Sequence, residues 1–245
     1  MDFVTLAGLL IAFSSVFLAN WLGGGEIILL LNLPSAIIVI VGSIGATLIQ
    51  SSIQEAARAL VLIKWSLFPP VYDFNSARAL ISNLAHKARR LSLLALESDI
   101  EALNNRFSSR ALQMAIDGTD PDLLADRLHD DAVRIYDKRM KSVSFIESIG
   151  GYAPTLGIMG SVLGLIQAMA NLDSPEALGH GIAVAFVSTL YGQGFANLVI
   201  FPITKKLTGY VDKELLFHQL LIDGICGIAT GKHPYRLELE LNTYE

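Results

Sequence analysis

Positively charged residues are missing from residues 1–57 and again from residues 142–204. All 18 Lys and Arg residues lie in two stretches, thirteen of them in residues 51–149 and five from residue 204 onward. Cytoplasmic segments beside membrane spans accumulate Lys and Arg, whereas translocated loops exclude them. The missing charge therefore predicts a membrane protein whose two basic stretches lie in the cytoplasm.

Other absences exclude several classes of function. The single cysteine, Cys226, cannot form a disulfide within the chain, and we expect it to pack as a small apolar residue. The five histidines lack metal-ligand spacing, and no Gly-x-Ser-x-Gly, P-loop or dinucleotide-binding motif occurs. Residues 51–149 hold thirteen basic and thirteen acidic residues, a balance that argues against a nucleic-acid partner. The sequence thus predicts neither an enzyme nor a nucleic-acid-binding protein.

Four apolar blocks without Lys, Arg, Asp or Glu are present, at roughly residues 3–25, 27–52, 148–172 and 177–204. A helix rises about 1.5 Å per residue, so about 20 residues cover the hydrocarbon core of a bilayer. Four crossings place both chain ends on the same side, here the cytoplasm. The first block lacks the basic start of a signal peptide, and a second apolar block follows at once, so we expect no cleavage.

The remaining half of the chain has the pattern of helices that extend the membrane helices. One helix is predicted from residue 52 to the prolines at 69 and 70, and another over about 75–96. The last block is predicted to run on as helix through residues 205–221. Residues 235–241 alternate polar and apolar side chains, which leaves helix and strand open there.

A long helix is predicted to lead into the third block. Asp117-Gly118 has the composition of a helix end, and Asp120-Pro121 has that of a helix start. No proline or glycine then follows until Gly150. One helix of roughly 50 residues, about 75 Å long, would result.

The predicted fold is therefore an all-α, polytopic membrane protein in four parts. Residues 1–52 form transmembrane helices 1 and 2, and residues 53–147 a cytoplasmic helical domain. Residues 148–204 form transmembrane helices 3 and 4, and residues 205–245 a cytoplasmic helical tail. Two of the four transmembrane helices continue into the cytoplasmic domain.

The central portions of the four blocks contain no Asp, Glu, Lys, Arg or His. Ionisable groups inside a membrane usually mark ion relays. The chain on its own therefore lacks the carboxylate that an ion relay needs. If ions are transported, a partner has to supply that acid.

The third and fourth blocks differ from the first two in their small and polar residues. Small residues recur at three- and four-residue spacing in the third block, at Gly157, Gly160, Ser161 and Gly164. Such spacing lets helices approach closely, and it serves either packing alone or packing beside a polar pathway. Pro154 and Pro202 bracket the two blocks, and each is either a passive kink or a hinge.

At these residues the sequence resembles the MotA/PomA family of flagellar stator subunits, particularly its shorter, PomA-like branch, within the MotA/TolQ/ExbB superfamily. The resemblance covers nearly the whole chain, from the Met-Asp start through four spans in a two-plus-two arrangement. Motifs that match in order and spacing lie at residues 88–90, 94–97, 115–118, 150–164, 183–192, 201–203 and 221–224.

The resemblance implies five copies of the chain around two copies of a MotB/PomB-type partner. That partner has a single span, is anchored to peptidoglycan and carries the ion-binding aspartate. Spans three and four would surround the partner, and spans one and two would form the outer ring. Ion flow would rotate the ring, which pushes the rotor protein FliG. The resemblance also implies a multi-pass protein of the bacterial inner membrane, in contact with lipid, with both termini cytoplasmic and no cofactor beyond the transported ion.

The resemblance also assigns roles by position. The implied ion-path or partner-facing residues are Thr155, Ser161, Ser188, Thr189 and Tyr191. Pro154 and Pro202 match the family's two functional prolines, which makes them the expected hinges.

The expected rotor-contact residues are Arg89, Arg90 and Glu97. Without the resemblance, a solvated helix face explains these charges, since exposed ion pairs are common and weak. The chain has Ser98 and Ile100 where sodium-driven relatives carry acids. The charge pairing with the rotor is therefore open.

The identity of the ion is predicted from one position. Sodium-driven relatives carry threonine at the position of Ser161, whereas many proton-driven relatives carry alanine. A serine hydroxyl keeps an oxygen that suits sodium, while protonation of a carboxylate needs no extra ligand. We expect protons, with sodium as the alternative.

Three other functions compete with this interpretation. ExbB/TolQ-type proteins, which energise outer-membrane processes, typically have three spans, and this chain has four apolar blocks. A solute transporter that acts alone would show inverted-repeat symmetry and intramembrane charge. A purely structural membrane scaffold would need neither hinge prolines nor a polar inner face.

Overall fold

The computed structural model describes residues 2–101, 103 and 105–244 of the chain. These residues are predominantly helical, and no strand occurs among them. In the part of the chain that the structure describes, four helices are long and apolar enough to cross a membrane: Phe3–Leu22, Ile27–Gln50, Pro121–Met169 and Pro175–Ala229. The all-α fold with four spans is confirmed.

The first two spans are helices α1 and α2. Helix α1 is Phe3–Leu22, and the Asp2 carboxylate accepts hydrogen bonds from the first free N–H groups of this helix. Helix α2 follows a 3₁₀ turn at Ile27–Leu30. It consists of Leu33–Ala36, a π-helical segment Ile37–Val41 and Gly42–Gln50.

Helix α3, Ile53–Ile63, begins with a capping box in which Ser52 and Glu55 each bond the other's backbone N–H. A 3₁₀ turn at Lys64–Ser66 completes it. This helix confirms the prediction between residue 52 and the two prolines.

Helix α4, Phe74–Arg90, is shorter than predicted. The helix expected over 75–96 was wrong at its end, because Ser92 is extended (φ 160°, ψ 169°) and a 3₁₀ turn, Leu93–Leu96, follows. The short helix α5 is Glu97–Ile100, and α6 is Arg106–Ile116.

The two longest helices continue beyond the predicted spans. Helix α7, Pro121–Met169, has 49 residues. Between α6 and α7, Gly118 has a positive φ of 76°, a conformation that glycine adopts without strain. Helix α8 consists of Pro175–Gly194, a π-helical segment Phe195–Ile200 and Phe201–Ala229. The predicted helix start at Asp120-Pro121 and the helix of roughly 50 residues are confirmed.

The segment left open between helix and strand is helical. Helix α9 is Pro234–Leu241, with Pro234 in its first turn. Leu237 and Leu241 lie four residues apart and are both buried. This spacing fits one face of a helix.

The described chain forms two compact units. The first contains residues up to Pro69 and Arg139–Gly209, and the second contains Pro70–Lys138 and the residues from Tyr210 onward. Helices α7 and α8 contribute residues to both units. The division into four parts at residues 52, 147 and 204 concerns the bilayer boundaries and stays a prediction.

The second unit has a closed apolar core. Helices α4, α6, α8 and α9 and the turn after α4 contribute its fully or nearly fully buried leucines: Leu84, Leu96, Leu112, Leu220, Leu221, Leu237 and Leu241. Phe217 borders it with two aromatic contacts, tilted against Tyr72 and edge-on to Phe74, each with ring centroids 5.5 Å apart. This unit packs as a water-soluble helical domain does.

Candidate functional site

Helices α7 and α8 of the first unit contact each other backbone to backbone. A Cβ atom added to Gly164 would lie 2.6 Å from the backbone N of Ala185 and from the carbonyl O of Gly181. A Cβ atom added to Gly157 would lie 2.8 Å from the carbonyl O of Ser188. No side chain fits at these positions, so the predicted small-residue face is a packing interface.

Two hydroxyls meet beside this glycine contact. Ser161 Oγ lies 2.5 Å from Thr189 Oγ1 and 2.5 Å from the carbonyl O of Ala185. It also lies 3.1 Å from the carbonyl O of Gly157. Ser161 is half-buried and Thr189 is exposed. The pair therefore presents neutral oxygen atoms at the edge of the α7–α8 contact.

Thr155 is exposed on α7, six residues before Ser161 in the chain. Its Oγ1 donates to the carbonyl O of Tyr152 at 2.8 Å. The lone pairs of this hydroxyl stay available on the exposed face of the helix.

Ser188 and Tyr191 bond α2 and the turn before it. Ser188 Oγ donates to Ser35 Oγ at 2.8 Å, and both residues are 0% exposed. Tyr191 Oη donates to the carbonyl O of Leu30 at 2.6 Å and accepts from the backbone N–H of Asn32 at 3.4 Å. In this chain the predicted ion-path residues thus divide: Ser188 and Tyr191 tie α8 to α2, whereas Thr155, Ser161 and Thr189 lie at accessible positions.

Sequence reasoning missed the residues of α2 that complete this network. Ser35 Oγ donates to Asn32 Oδ1 at 2.9 Å, and the same oxygen caps α2 by accepting the Ser35 N–H at 3.0 Å. The Asn-x-x-Ser pattern before a helix was a readable capping signal. Nothing in it pointed to α8, which lies about 150 residues further along the chain.

The two prolines lie at different kinds of position. Pro154 is half-buried inside α7, and a Cβ atom on Gly192 of α8 would lie 3.2 Å from its Cα. Pro202 is exposed and lies two residues after the end of the π-helical segment Phe195–Ile200. Proline leaves a carbonyl without its helical donor, and π-helical turns commonly mark irregular, functional points of helices. Both observations are compatible with hinges, and the hinge role stays a prediction.

The predicted rotor-contact residues lie around the turn between α4 and α5. Arg89 and Arg90 form the last turn of α4, Glu97 is the first residue of α5, and all three are exposed. The turn is braced by Lys87 Nζ, which lies 2.6 Å from Asp99 Oδ2 and 3.2 Å from Ser98 Oγ. Asp99 is therefore the partner of Lys87.

A charged cluster holds the start of α1. Lys206 donates to Asp2 Oδ2 and to Thr5 Oγ1. The hydrogen bond from Lys206, followed by those from the Thr5 and Val4 backbone, keeps the pKa of the Asp2 carboxyl below its ordinary value. The acid is thus held ionised as a helix cap. Within residues 2–101, 103 and 105–244, no group of three or more His, Cys, Asp or Glu side chains could hold a metal ion.

Comparisons with known proteins match the chain to one family over its length. Residues 99–219 match the MotA/TolQ/ExbB proton channel family. The chain is 32% identical to the chemotaxis protein PomA of Vibrio alginolyticus, over 100% of this chain and 95% of that protein. It is 30% identical to motility protein A of Bacillus subtilis (strain 168), over 100% of this chain and 91% of that protein.

Solved structures give the same result. The C. jejuni MotAB structure matches with a TM-score of 0.94 and 27% identity, over 100% of this chain and 96% of that chain. The flagellar MotAB stator complex from Bacillus subtilis matches with a TM-score of 0.88 and 29% identity, over 99% and 96%. The chain belongs to the MotA/PomA family of flagellar motor stator subunits.

Proposed function

We propose that this chain is the ring-forming subunit of a flagellar stator that works with a MotB/PomB-type partner. Five copies would surround two copies of the partner, which has one span and a peptidoglycan anchor. The observation that carries this proposal is chemical. The accessible polar groups in the central portions of spans three and four are neutral hydroxyls and amides, such as Thr189 and Gln193, and the central portions of all four spans lack an ionisable residue. The ion-binding acid therefore comes from the partner.

Thr155, Ser161 and Thr189 are the residues that we assign to the ion path. Their oxygens are hard ligands, which suit either a hydrated proton or an alkali cation. Ser161 and Thr189 lie 2.5 Å apart and bond each other. A sodium ion would have to replace that bond, which supports the proton as the transported ion and leaves sodium as the alternative.

Ion occupancy would act on the helices through their prolines. Neutralisation of the partner's carboxylate would change the position that the carboxylate prefers along the α7–α8 pair. In response, α7 would bend at Pro154 and α8 at Pro202. Pro154 lies at the contact with Gly192, so a bend there changes the contact itself.

Torque would reach the rotor protein FliG through Arg89, Arg90 and Glu97. All three are exposed, and the ion pair of Lys87 with Asp99 holds the turn that carries them. Reversal of Arg90 to Glu should reduce torque, and a matching reversal on the rotor should restore part of it. Arg127→Glu, at an exposed position of α7, is the control and should swim normally.

The dependence on a partner can be tested directly. The purified chain, reconstituted alone in vesicles, should conduct no cations, and the complex with its partner should conduct. Conduction by the chain alone would end the proposal.

The ion path has its own test. Ser161→Ala combined with Thr189→Ala should reduce ion flux with assembly intact. Ser15→Ala in α1, whose hydroxyl bonds its own helix at Ala12 O, is the matched control. Wild-type flux in the double variant would remove both hydroxyls from the path.

The ion is decided by motility measured against sodium concentration and against a protonophore. Swimming that persists without sodium and stops with the protonophore would support protons. The reverse result would support sodium.

The chain is a multi-pass membrane protein of the stator family, a family of motor ion-channel subunits and not of enzymes. We assign both termini to the cytoplasm on the distribution of Lys and Arg. A reporter that is active only in the periplasm, fused after the last residue, should stay inactive.

A further inference from the structure

The turn between α4 and α5 contains four leucines, of which two pack against the core and two are exposed. Leu96 is fully buried, and Leu93 packs against the core of the second unit. Leu91 is 69% exposed and Leu94 is 68% exposed. In a 3₁₀ turn, residues three apart lie on the same side. Leu93 and Leu96 therefore share the side of the segment Leu93–Leu96 that faces the core. Leu94 of the same segment and Leu91, which precedes it, are left outside.

The two exposed leucines are near neighbours in the chain. Three residue steps separate them, so their Cα atoms cannot be more than about 11 Å apart. The position of the turn is constrained by the ion pair of Lys87 with Asp99 and by the burial of Leu96. Leu91 also lines a surface cavity of about 370 Å³ beside Arg90, together with Asn83, His86 and Lys87. Leu91 thus belongs to a defined surface, and Leu94 is the next exposed leucine of the turn.

Charges of opposite sign border this apolar pair along the chain. Arg89 and Arg90 precede Leu91, and Glu97 and Glu101 follow Leu94, all at exposed positions. Exposed ion pairs contribute little to binding because water and salt screen them and long side chains lose freedom. Removal of leucine side chains from water contributes more for each residue. Protein interfaces accordingly have an apolar centre and a polar rim.

We propose that Leu91 and Leu94 form the apolar centre of the rotor-contact surface, with Arg89, Arg90 and Glu97 as its rim. This inference rests on the proposed stator function. The partner that fits is a rotor segment with an apolar face between an acidic end and a basic end. The acidic end lies against the arginines, and the basic end lies against the glutamates. The charges set orientation and encounter rate, and the leucines supply most of the affinity.

The test uses the complete stator complex with Leu91→Ser and Leu94→Ser combined. Leu239→Ser on α9, where the leucine is 54% exposed, is the matched control. We expect the double variant to assemble, conduct ions and unfold like the parent, because neither leucine belongs to the core. Its affinity for the purified rotor protein should fall at least tenfold, with a similar deficit at low and high salt. The Arg90→Glu deficit should shrink as salt screens it.

A photoreactive amino acid placed at position 91 or 94 should cross-link to the rotor protein. Cross-links to a second copy of this chain alone would overturn the inference, as would normal rotor affinity in the double leucine variant. If Arg90→Glu still weakens rotor binding in that case, the apolar centre fails while the proposed function stands. If neither set of variants affects rotor binding, both the inference and the rotor contact fail.

Discussion

The two units of this chain are packed by different rules. In the first unit, α7 and α8 meet through Gly157, Gly164, Gly181 and Gly192, and none of the described residues of α1 is buried. In the second unit, leucines such as Leu96 close an apolar core. Because lipid tails are as apolar as leucine, burial of leucine between membrane helices gains little, and such helices associate through close backbone contact. A soluble domain instead folds by removing apolar side chains from water. The same kind of substitution should therefore have different effects in the two units.

The largest effect is expected where the backbones touch. Gly164→Val places a Cβ atom 2.6 Å from two backbone atoms of α8, which cannot yield as a flexible side chain can. We expect loss of complex formation and of swimming. Recovery of the complex after purification with its partner, together with a swimming assay, measures this.

Gly179→Val is the matched control, since no described atom lies within 4 Å of a Cβ built there. Normal assembly of the Gly164 variant would show that glycine contact is not what holds the first unit.

The second unit should respond to loss of apolar volume. Leu96→Ala should lower the free energy of unfolding by about 2–5 kcal/mol, because it leaves a cavity in a closed core. Leu94→Ala, two residues away and 68% exposed, should change it by less than about 0.5 kcal/mol. Hydrogen exchange of backbone amides in α4 and α6 reports the difference. Equal effects would contradict the assignment of inner and outer leucines.

A smaller and asymmetric effect is expected in the hydrogen bonds between α2 and α8. Ser35→Ala removes the acceptor of the buried Ser188 hydroxyl and should cost about 1–3 kcal/mol. Ser188→Ala should cost about 0.5–1.5 kcal/mol, since Ser35 keeps its bond to Asn32. Thermal unfolding of the complex in detergent measures both.

The double variant is the control, and it should cost less than the sum of the two single changes. Strict additivity would show that the two hydroxyls do not depend on each other.

The smallest effect is electrostatic and belongs to the second unit. Hydrogen bonds from the Ser76 hydroxyl and then from its backbone N–H keep the pKa of the Asp73 carboxyl, at the start of α4, below its ordinary value of 3.8. A lowered pKa contributes stability above the ordinary value, and that contribution is lost as pH falls through the lowered value.

We therefore expect unfolding experiments between pH 6 and pH 3 to show a small loss of stability toward acid that Asp73→Asn reduces. Asparagine keeps a capping oxygen without titrating in this range. An unchanged pH dependence in the variant would remove Asp73 as its source.

Helices were predictable where local chemistry determines their ends. Asp120 and Pro121 start α7, and the absence of proline and glycine up to Gly150 predicted its continuous course. The end of α4 was not predictable in this way. Residues 91–96 contain good helix formers, and the chain leaves the helix at Ser92 as Leu93 and Leu96 pack into the core. Tertiary burial outweighed local propensity there.

The candidate site shows a similar division. The residue types predicted hydroxyls in spans three and four. They did not show which of two neighbours, such as Ser188 and Thr189, is buried and which is accessible. Successive residues of a helix point about 100° apart, so one faces Ser35 and the other faces Ser161. Which of these two side chains is buried depends on where α2 packs against α8.

The sequence by itself determined the family of this chain, and it predicted the membrane topology and an ion-binding acid supplied by another polypeptide. These follow from charge, apolar length and motif order, which are properties of the chain read in one dimension. Only the tertiary structure decided which glycines touch, which hydroxyls remain accessible and which leucines stay outside the core. Those outcomes depend on side-chain direction and on contacts between residues far apart in the chain, which composition and spacing do not encode.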